Sequence, residues 1–128
     1  MSYNFANIKI LIVDDEELIR EILSEAFTLY GASVDLAESG FEALAKFQKN
    51  TYDMVITDIR MPNGDGIYLL ENIKKLTGPR PKLFVCSAYN DLSEDKIKEL
   101  GILKIFAKPF ELGLLLAAVS NISAVNSL

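Results

Sequence analysis

Apolar runs alternate with amphipathic segments along this chain, and their spacing predicts five strands and five helices. Continuous β-branched runs are typical of strands buried on both faces, whereas apolar positions three to four residues apart are typical of helices with one buried side. The predicted strands span residues 8–13, 32–36, 53–57, 82–86 and 102–107. Helices are predicted at about 18–30, from Ser39 onward, and at about 67–76, 90–100 and 110–123.

The regular alternation of strands and helices predicts an α/β fold. Short connections between consecutive elements favour a (βα)5 doubly wound, five-stranded parallel sheet with helices on both faces, because parallel neighbours need right-handed crossovers. The length of 128 residues fits a single domain spanning 1–128. In the second helix, Ser39 and Glu42 have capping-box spacing, and we expect Phe41, Leu44 and Ala45 on the buried side.

Composition excludes several classes of function. The net charge is −5 and Lys and Arg do not cluster, so we do not expect direct binding to nucleic acid. No apolar run reaches the roughly 20 residues that a membrane span needs, and the N-terminus does not have the pattern of a secretory signal. We therefore expect a cytoplasmic protein with no membrane association.

The chain contains no histidine and a single cysteine. Histidine-based acid/base catalysis and histidine metal ligands are thereby excluded, and any phosphohistidine in the chemistry must belong to another protein. Cys86 lies inside an apolar run, which indicates a small buried side chain and not a disulfide framework.

Polar residues follow four of the predicted strands. Asp14 and Asp15 follow the first, Asp58 the third, Ser87 the fourth and Lys108 the fifth. Each has an ordinary interpretation alone, as a helix cap, an acidic helix start or a solvated loop residue. Together they meet at one sheet edge, where Mg²⁺ and a lysine would neutralise the clustered carboxylates. This combination suits phosphoryl transfer, with Asp58 attacking phosphorus to give an acyl phosphate.

Four motifs at these strand ends resemble the receiver domain of bacterial two-component response regulators. The similarity covers about residues 7–123 and rests on VDDE (13–16), TDIRMPNGDG (57–66), SA (87–88) and KPF (108–110). The resemblance implies the flavodoxin-like strand order 2-1-3-4-5. It also implies a phosphorylation-dependent signalling switch in which Asp58 accepts a phosphoryl group from the phosphohistidine of a sensor histidine kinase or a phosphotransfer protein. Such a domain catalyses only its own phosphorylation and dephosphorylation.

The resemblance further implies a magnesium site. Asp15, Asp58 and the backbone carbonyl of Arg60 would bind Mg²⁺ directly, and Asp14 would assist through water. Arg60 and Tyr89, two residues after the acceptor and after the hydroxyl respectively, would flank the site and influence the lifetime of the acyl phosphate.

The resemblance also assigns the phosphoryl oxygens to Ser87 and Lys108, and implies a cis Lys108–Pro109 peptide bond. Two departures from the family pattern matter, and the milder one is the pair Arg60 and Tyr89 that flanks the site. The family usually has Tyr or Phe three residues before the lysine, where this chain has Ile105. Strand alternation should point the neighbouring Phe106 to the opposite side, so it cannot replace the missing aromatic ring.

The last helix carries more apolar residues than one buried stripe requires. Residues expected to face the sheet are Leu112, Leu115, Leu116, Val119 and Ile122. Leu114, Ala118 and Val125 would form a second line, which is typical either of an apolar surface helix or of a docking face. By the resemblance, a homodimer or an effector would bind to the fourth helix, fifth strand and fifth helix.

Two other functions are compatible with this fold. A binding module could have lost the phosphoryl switch, which the Ile105 departure makes conceivable but the complete set of polar strand ends disfavours. A phosphatase with an aspartate nucleophile would need a second carboxylate two residues later, where this chain has Arg60. The segment Asn63–Gly66 resembles part of a calcium loop, but no helix precedes it, so we interpret it as a turn.

Overall fold

The computed structural model describes residues 3–88 and 92–126, with the side chains described up to residue 122. It confirms the predicted succession of five strands and five helices. The elements are β1 (Lys9–Val13), α1 (Glu17–Leu29), β2 (Ser33–Ala37), α2 (Gly40–Lys49), β3 (Met54–Thr57), α3 (Gly66–Lys75), β4 (Lys82–Ser87), α4 (Glu94–Leu100), β5 (Ile102–Ala107) and α5 (Leu112–Asn126).

The strands form one parallel sheet in the order β2-β1-β3-β4-β5, which confirms the fold class and the strand order that the resemblance implied. Between β4 and β5 the register slips: Leu83 pairs with Ile102, and Phe84 pairs with Lys104. Leu103 is therefore an extra residue on the edge strand, and its side chain is 45% exposed.

The two faces of the sheet carry separate apolar cores, because successive strand residues point to opposite sides. Leu11 and Val55 pack in the core that includes residues of α2, α3 and α4. Ile10 and Ile56 pack in the other core, with residues of α1 and α5. Helices thus cover both faces, as predicted. Cys86 is also buried in the second core, as expected from its apolar neighbours.

Local predictions were wrong at two places, the start of α4 and the buried side of α2. Helix α4 begins at Glu94 and not at residue 90, because the Ser93 side chain accepts the Lys96 N–H at 3.1 Å and fixes the start there; residues 90 and 91 lie outside the described part. On α2, Phe41 is 55% exposed, because its ring packs edge-to-face on Tyr68 of α3 and not beneath the helix.

The buried side of α2 was predicted only in part. Ala45 was expected to be buried but is exposed, whereas Leu44, as predicted, and Ala43 are buried and form the face that contacts the sheet. The predicted cap is confirmed, because the Ser39 hydroxyl accepts the Glu42 N–H at 3.1 Å.

Helix α5 buries the face that the sequence predicted. Leu115, Leu116 and Val119 are buried in the core shared with α1. Of the proposed second line, Leu114 is 71% exposed, but Ala118 packs against that same core. Val125 lies outside the residues whose side chains are described. Within the described residues, none of the helices combines the length and apolar character that crossing a bilayer requires.

Candidate functional site

The polar residues predicted from the strand ends lie together at the carboxyl edge of the sheet. Asp14 follows β1, Asp58 follows β3, Ser87 ends β4 and Lys108 follows β5. Asp14, Asp58 and Ser87 are buried polar residues, exposed by 2%, 7% and 2%. The backbone N–H of Lys108 donates to the Ser87 carbonyl at 3.0 Å, which carries the β4–β5 ladder up to the site.

The Lys108 ammonium group joins the carboxylates at the centre of this edge. Its Nζ lies 2.7 Å from Asp14 Oδ2, 2.9 Å from Asp58 Oδ2 and 3.1 Å from Glu16 Oε1. Burial alone lowers the pKa of Lys108, but the hydrogen bonds to Asp14 and Asp58 outweigh burial and leave that pKa above its ordinary value. The lysine is therefore a permanently charged group, suited to balancing negative charge.

Asp14 is held by backbone and cationic groups. Its Oδ1 accepts the Glu16 N–H at 2.9 Å, and its carbonyl oxygen accepts a hydrogen bond from Arg20 Nη1 at 2.8 Å. Burial raises the pKa of the Asp14 carboxyl above its ordinary value, although the Lys108 and Glu16 hydrogen bonds act in the opposite direction. Burial thus disfavours the ionised form of Asp14, and the two hydrogen bonds offset part of that cost.

The Asp58 carboxylate is fixed through both oxygens. Oδ1 accepts the Ile59 N–H at 2.6 Å, and Oδ2 accepts from Lys108 at 2.9 Å. The Gly66 N–H donates to the Ile59 carbonyl at 2.7 Å and joins the first turn of α3 to the residue after the aspartate. This close approach requires glycine, because a Cβ at Gly66 would lie 2.1 Å from the Asp58 carbonyl oxygen.

The loop after Asp58 forms a turn, as interpreted from the sequence, and is hydrogen-bonded to the start of α2. Asn63 and Gly64 both have positive φ, 61° and 93°. The Gly40 N–H at the start of α2 donates to the Gly64 carbonyl at 2.7 Å. The Asp65 side chain caps α3 by accepting the Tyr68 N–H at 2.8 Å, which is a turn and cap arrangement and not that of a calcium loop.

Four carboxylates at this edge have the geometry of a cation site. Oxygens of Asp14, Asp15, Glu16 and Asp58 lie within 4.8 Å of one another. An all-oxygen donor set of this kind fits a hard divalent cation such as Mg²⁺. Glu16 was not singled out from the sequence, although its place in the acidic run after β1 was the available signal. Arg60 lies two residues after Asp58 in the same loop and is exposed.

An apolar groove of about 500 Å³ adjoins the charged centre. Glu16 and Lys108 stand at its charged end, next to Ala88, and the apolar wall comes from the first turns of α1 and from the segment after β5. The apolar lining residues are Ile19, Ile22, Pro109, Phe110 and Leu112.

Ile105 and Phe106, near the end of β5, face opposite cores, as predicted. Ile105 packs against the core on the α4 side of the sheet. Phe106 is buried in the α1/α5 core, with its ring centroid 6.3 Å from that of Phe84. The Lys108–Pro109 peptide bond is cis, as the resemblance implied. Tyr89, expected to flank the site, lies outside the described residues.

This chain belongs to the response regulator receiver domain family, because the family's sequence pattern matches residues 10–120. Phosphorylation-dependent switching is the function of that family, which is a signalling family and not one of classical enzymes. Among curated relatives, Sporulation initiation phosphotransferase F of Bacillus subtilis is 38% identical over 107 residues, covering 83% of this chain and 86% of that protein. Regulator of RpoS from Escherichia coli is 36% identical over 101 residues, covering 79% of this chain but 30% of that longer protein.

Solved structures share the same fold. The response regulator TrrA from Thermotoga maritima, solved in complex with Mg(2+)-BeF, is 34% identical, and the similarity has a TM-score of 0.76 and covers 89% of this chain and 97% of that one. That structure carries a metal ion and a beryllium fluoride in its own complex.

Proposed function

We propose that Asp58 is the phosphoryl acceptor of this switch, and that the chain works in a two-component phosphorelay. The observation that carries the proposal is the dual fixation of the Asp58 carboxylate. One oxygen is held by the Ile59 N–H at 2.6 Å and the other by Lys108 at 2.9 Å, in a buried position at the carboxyl edge of the sheet. A carboxylate held in one orientation beside a fixed cation is prepared for in-line attack on phosphorus.

The proposed reaction transfers the phosphoryl group from a phosphohistidine to Asp58. A carboxylate oxygen forms the new P–O bond, and the P–N bond breaks with its electron pair left on the imidazole nitrogen, which takes up a proton. Lys108 balances charge on a phosphoryl oxygen, and the Ser87 hydroxyl donates to another. The donor histidine must be supplied by a partner, because this chain contains none.

We propose Mg²⁺ as the cofactor, held by Asp14, Asp15, Asp58 and the Arg60 backbone carbonyl. The clustering of carboxylate oxygens of Asp14, Asp15, Glu16 and Asp58 within 4.8 Å supports this assignment. When bound, Mg²⁺ supplies charge neutralisation for the transferring group. The carboxylates orient that ion, and Lys108 keeps the acceptor oxygen in place.

The proposed phosphodonor is a sensor histidine kinase or a phosphotransfer protein. The groove lined by Ile19, Ile22 and Phe110 supports a protein donor, because it offers apolar contact area directly beside Lys108. A cytoplasmic location belongs to the same proposal, because such donors are loaded from ATP.

A small phosphodonor tests the acceptor directly. Wild type and Asp58→Asn are incubated with Mg²⁺ and acetyl phosphate, and intact mass is measured over time. The expected result is one phosphoryl adduct on wild type and none on Asp58→Asn. Asp95→Asn, an exposed change of the same chemistry in α4, serves as the matched control and should react like wild type. An unmodified wild type would favour a binding module that has lost the switch, and rapid turnover of unrelated phosphate esters would favour a phosphatase.

We also propose that the output surface lies on α4, β5 and α5. Leu114, exposed by 71%, and Leu103, exposed by 45%, support an apolar contact surface there for a homodimer or an effector. Analytical ultracentrifugation with and without phosphorylation tests the homodimer. A monomer under both conditions would count against this proposal.

A further inference from the structure

Lys108 has a third partner that the proposed reaction does not use. Glu16 Oε1 lies 3.1 Å from the ammonium nitrogen, and the Glu16 side chain is 61% exposed. The two partners within the reaction site are nearer and far less accessible, with Asp14 at 2.7 Å and 3% exposed and Asp58 at 2.9 Å and 9% exposed. Glu16 is therefore the longest and most solvated of the three ion pairs.

We propose that Glu16 is a positioning residue that holds Lys108 on the β1 side of the site before phosphorylation and so slows acceptance of the phosphoryl group by Asp58. This inference rests on the proposed phosphoryl chemistry at Asp58. An ammonium group has three N–H donors, and the three carboxylates occupy all of them. A phosphoryl oxygen on Asp58 can be paired by Lys108 only if one of these hydrogen bonds is released.

Glu16 is the partner released most easily. The Glu16 carboxylate is hydrated again after release, because it is mostly exposed. Release of Asp14, or of Asp58 before its P–O bond forms, would instead leave a buried charge without its cation. The energetic cost of removing Lys108 from Glu16 thus forms part of the barrier to charging Asp58. Without the Glu16 charge, the lysine has a free donor ready for the incoming group.

A general charge effect has to be separated from this specific contact. Glu16 lines the charged end of the groove, so its carboxylate also repels any anionic donor that approaches there. Glu17, the first residue of α1, has the same charge and is exposed, and within the described part of the chain it has no ion pair with Lys108. Glu17→Gln is therefore the matched control for Glu16→Gln.

The first measurement is the rate of phosphorylation by acetyl phosphate, with Mg²⁺ saturating for each variant. We expect Glu16→Gln to react about two- to fivefold faster than wild type, the range that one exposed ion pair supports. Glu17→Gln should leave the rate within about 1.5-fold of wild type, because only a distant, screened charge is removed. Glu16→Asp, which keeps the charge on a shorter side chain, should lie between wild type and Glu16→Gln.

The second measurement is an equilibrium one that requires no turnover. Beryllium fluoride in the presence of Mg²⁺ mimics the acyl phosphate, and its binding can be followed by fluorine NMR. Glu16→Gln should bind it about two- to fivefold more tightly, while the affinity for Mg²⁺ alone should fall because the cluster loses a negative charge. A residue with a merely structural role would not move these two affinities in opposite directions. In a Lys108→Gln background, the advantage of Glu16→Gln over Glu17→Gln should vanish.

The outcomes separate the two proposals. If wild type forms no adduct, the proposed function fails. If wild type reacts but Glu16→Gln behaves like Glu17→Gln, or reacts more slowly than wild type, the role of Glu16 is overturned and the acceptor role of Asp58 stands.

Discussion

Replacement of Gly66 by alanine should damage both the stability of the fold and the presentation of Asp58. Gly66 is the first residue of α3, and a Cβ there would lie 2.1 Å from the Asp58 carbonyl oxygen and 2.9 Å from Ile59 Cα. Both neighbours are backbone atoms, so no side-chain rotation can relieve the overlap. The chain has to move α3 or the acceptor segment itself.

The size of the effect follows from that overlap. Forcing an extra methyl group into a packed site costs about 1–3 kcal/mol, which for a domain of this length lowers the midpoint of thermal unfolding by roughly 3–12 °C. The Gly66 N–H also donates to the Ile59 carbonyl at 2.7 Å, so a shift of α3 pulls on the residue whose own N–H holds Asp58. A misplacement of about 1 Å can cost a factor of about 100 in rate, and we expect phosphorylation by acetyl phosphate to slow at least about tenfold.

Circular dichroism melts and intact-mass phosphorylation measure these two effects at a temperature where every variant is folded. Gly113→Ala is the matched control, because its Cβ would meet only the end of the Glu111 side chain, at 3.2 Å, and no backbone atom. It exchanges the same residues in the first turn of α5, where the helix propensity of alanine, up to about 1 kcal/mol, offsets a shift of the Glu111 carboxylate that accepts the Gly113 and Leu114 N–H groups. A Gly66→Ala protein that melts and reacts like wild type would refute this account of the loop.

Three further predictions concern buried side chains. Burial raises the folded-state pKa of Asp14 above 3.8, so this carboxyl favours folding most at low pH and loses that contribution as pH rises through its folded pKa. Asp14→Asn should therefore raise the denaturation midpoint at pH 7 without Mg²⁺. A midpoint below that of wild type would contradict this. Burial raises the pKa of Cys86 to about 12, so at pH 8 a disulfide reagent should label it only after unfolding, and prompt labelling of the native protein would show otherwise. Phe27 is fully buried against Phe5. Phe27→Ala should lower the free energy of unfolding, measured in urea, by about 3–5 kcal/mol, and a loss of less than about 1 kcal/mol would be incompatible with this packing.

The convergence of the polar residues could be predicted because it depends on topology alone. In a parallel sheet all carboxyl ends lie at one edge, and the order β2-β1-β3-β4-β5 places the ends of β1 and β3 side by side, so Asp14 and Asp58 are neighbours there. Lys108 reaches both carboxylates from β5 because its side chain is long. Glu16 was missed for the opposite reason. Its contact with Lys108 is made by a long, solvated side chain just beyond β1, and neither strand periodicity nor helix periodicity governs where such a side chain points.

Local packing limited the other predictions. Helical spacing placed Phe41 on the buried side of α2, but a helix pattern does not specify which neighbour a ring meets. Tyr68 on α3 provides an edge-to-face partner at 5.1 Å, which lets Phe41 remain 55% exposed while still packed on one side. The role of Phe5 was not expected either. It is 1% exposed, and its N–H donates to the Tyr30 carbonyl at 2.8 Å, so residues before β1 help to close the core beneath α1.

In the edge strand β5, one extra residue decides which side chains face the α4 side of the sheet. Ile102 and Ile105 are separated by an odd number of positions, and uniform alternation would point them to opposite faces, yet both pack in the core on the α4 side. The register slip beside Leu103 accounts for this, because the extra residue restores a common direction. From there regular alternation resumes and sends Phe106 to the α1/α5 core. On the α4 side of the sheet, the position three residues before Lys108 is therefore occupied by the aliphatic Ile105, and the adjacent Phe106 ring could face that side only after a second slip.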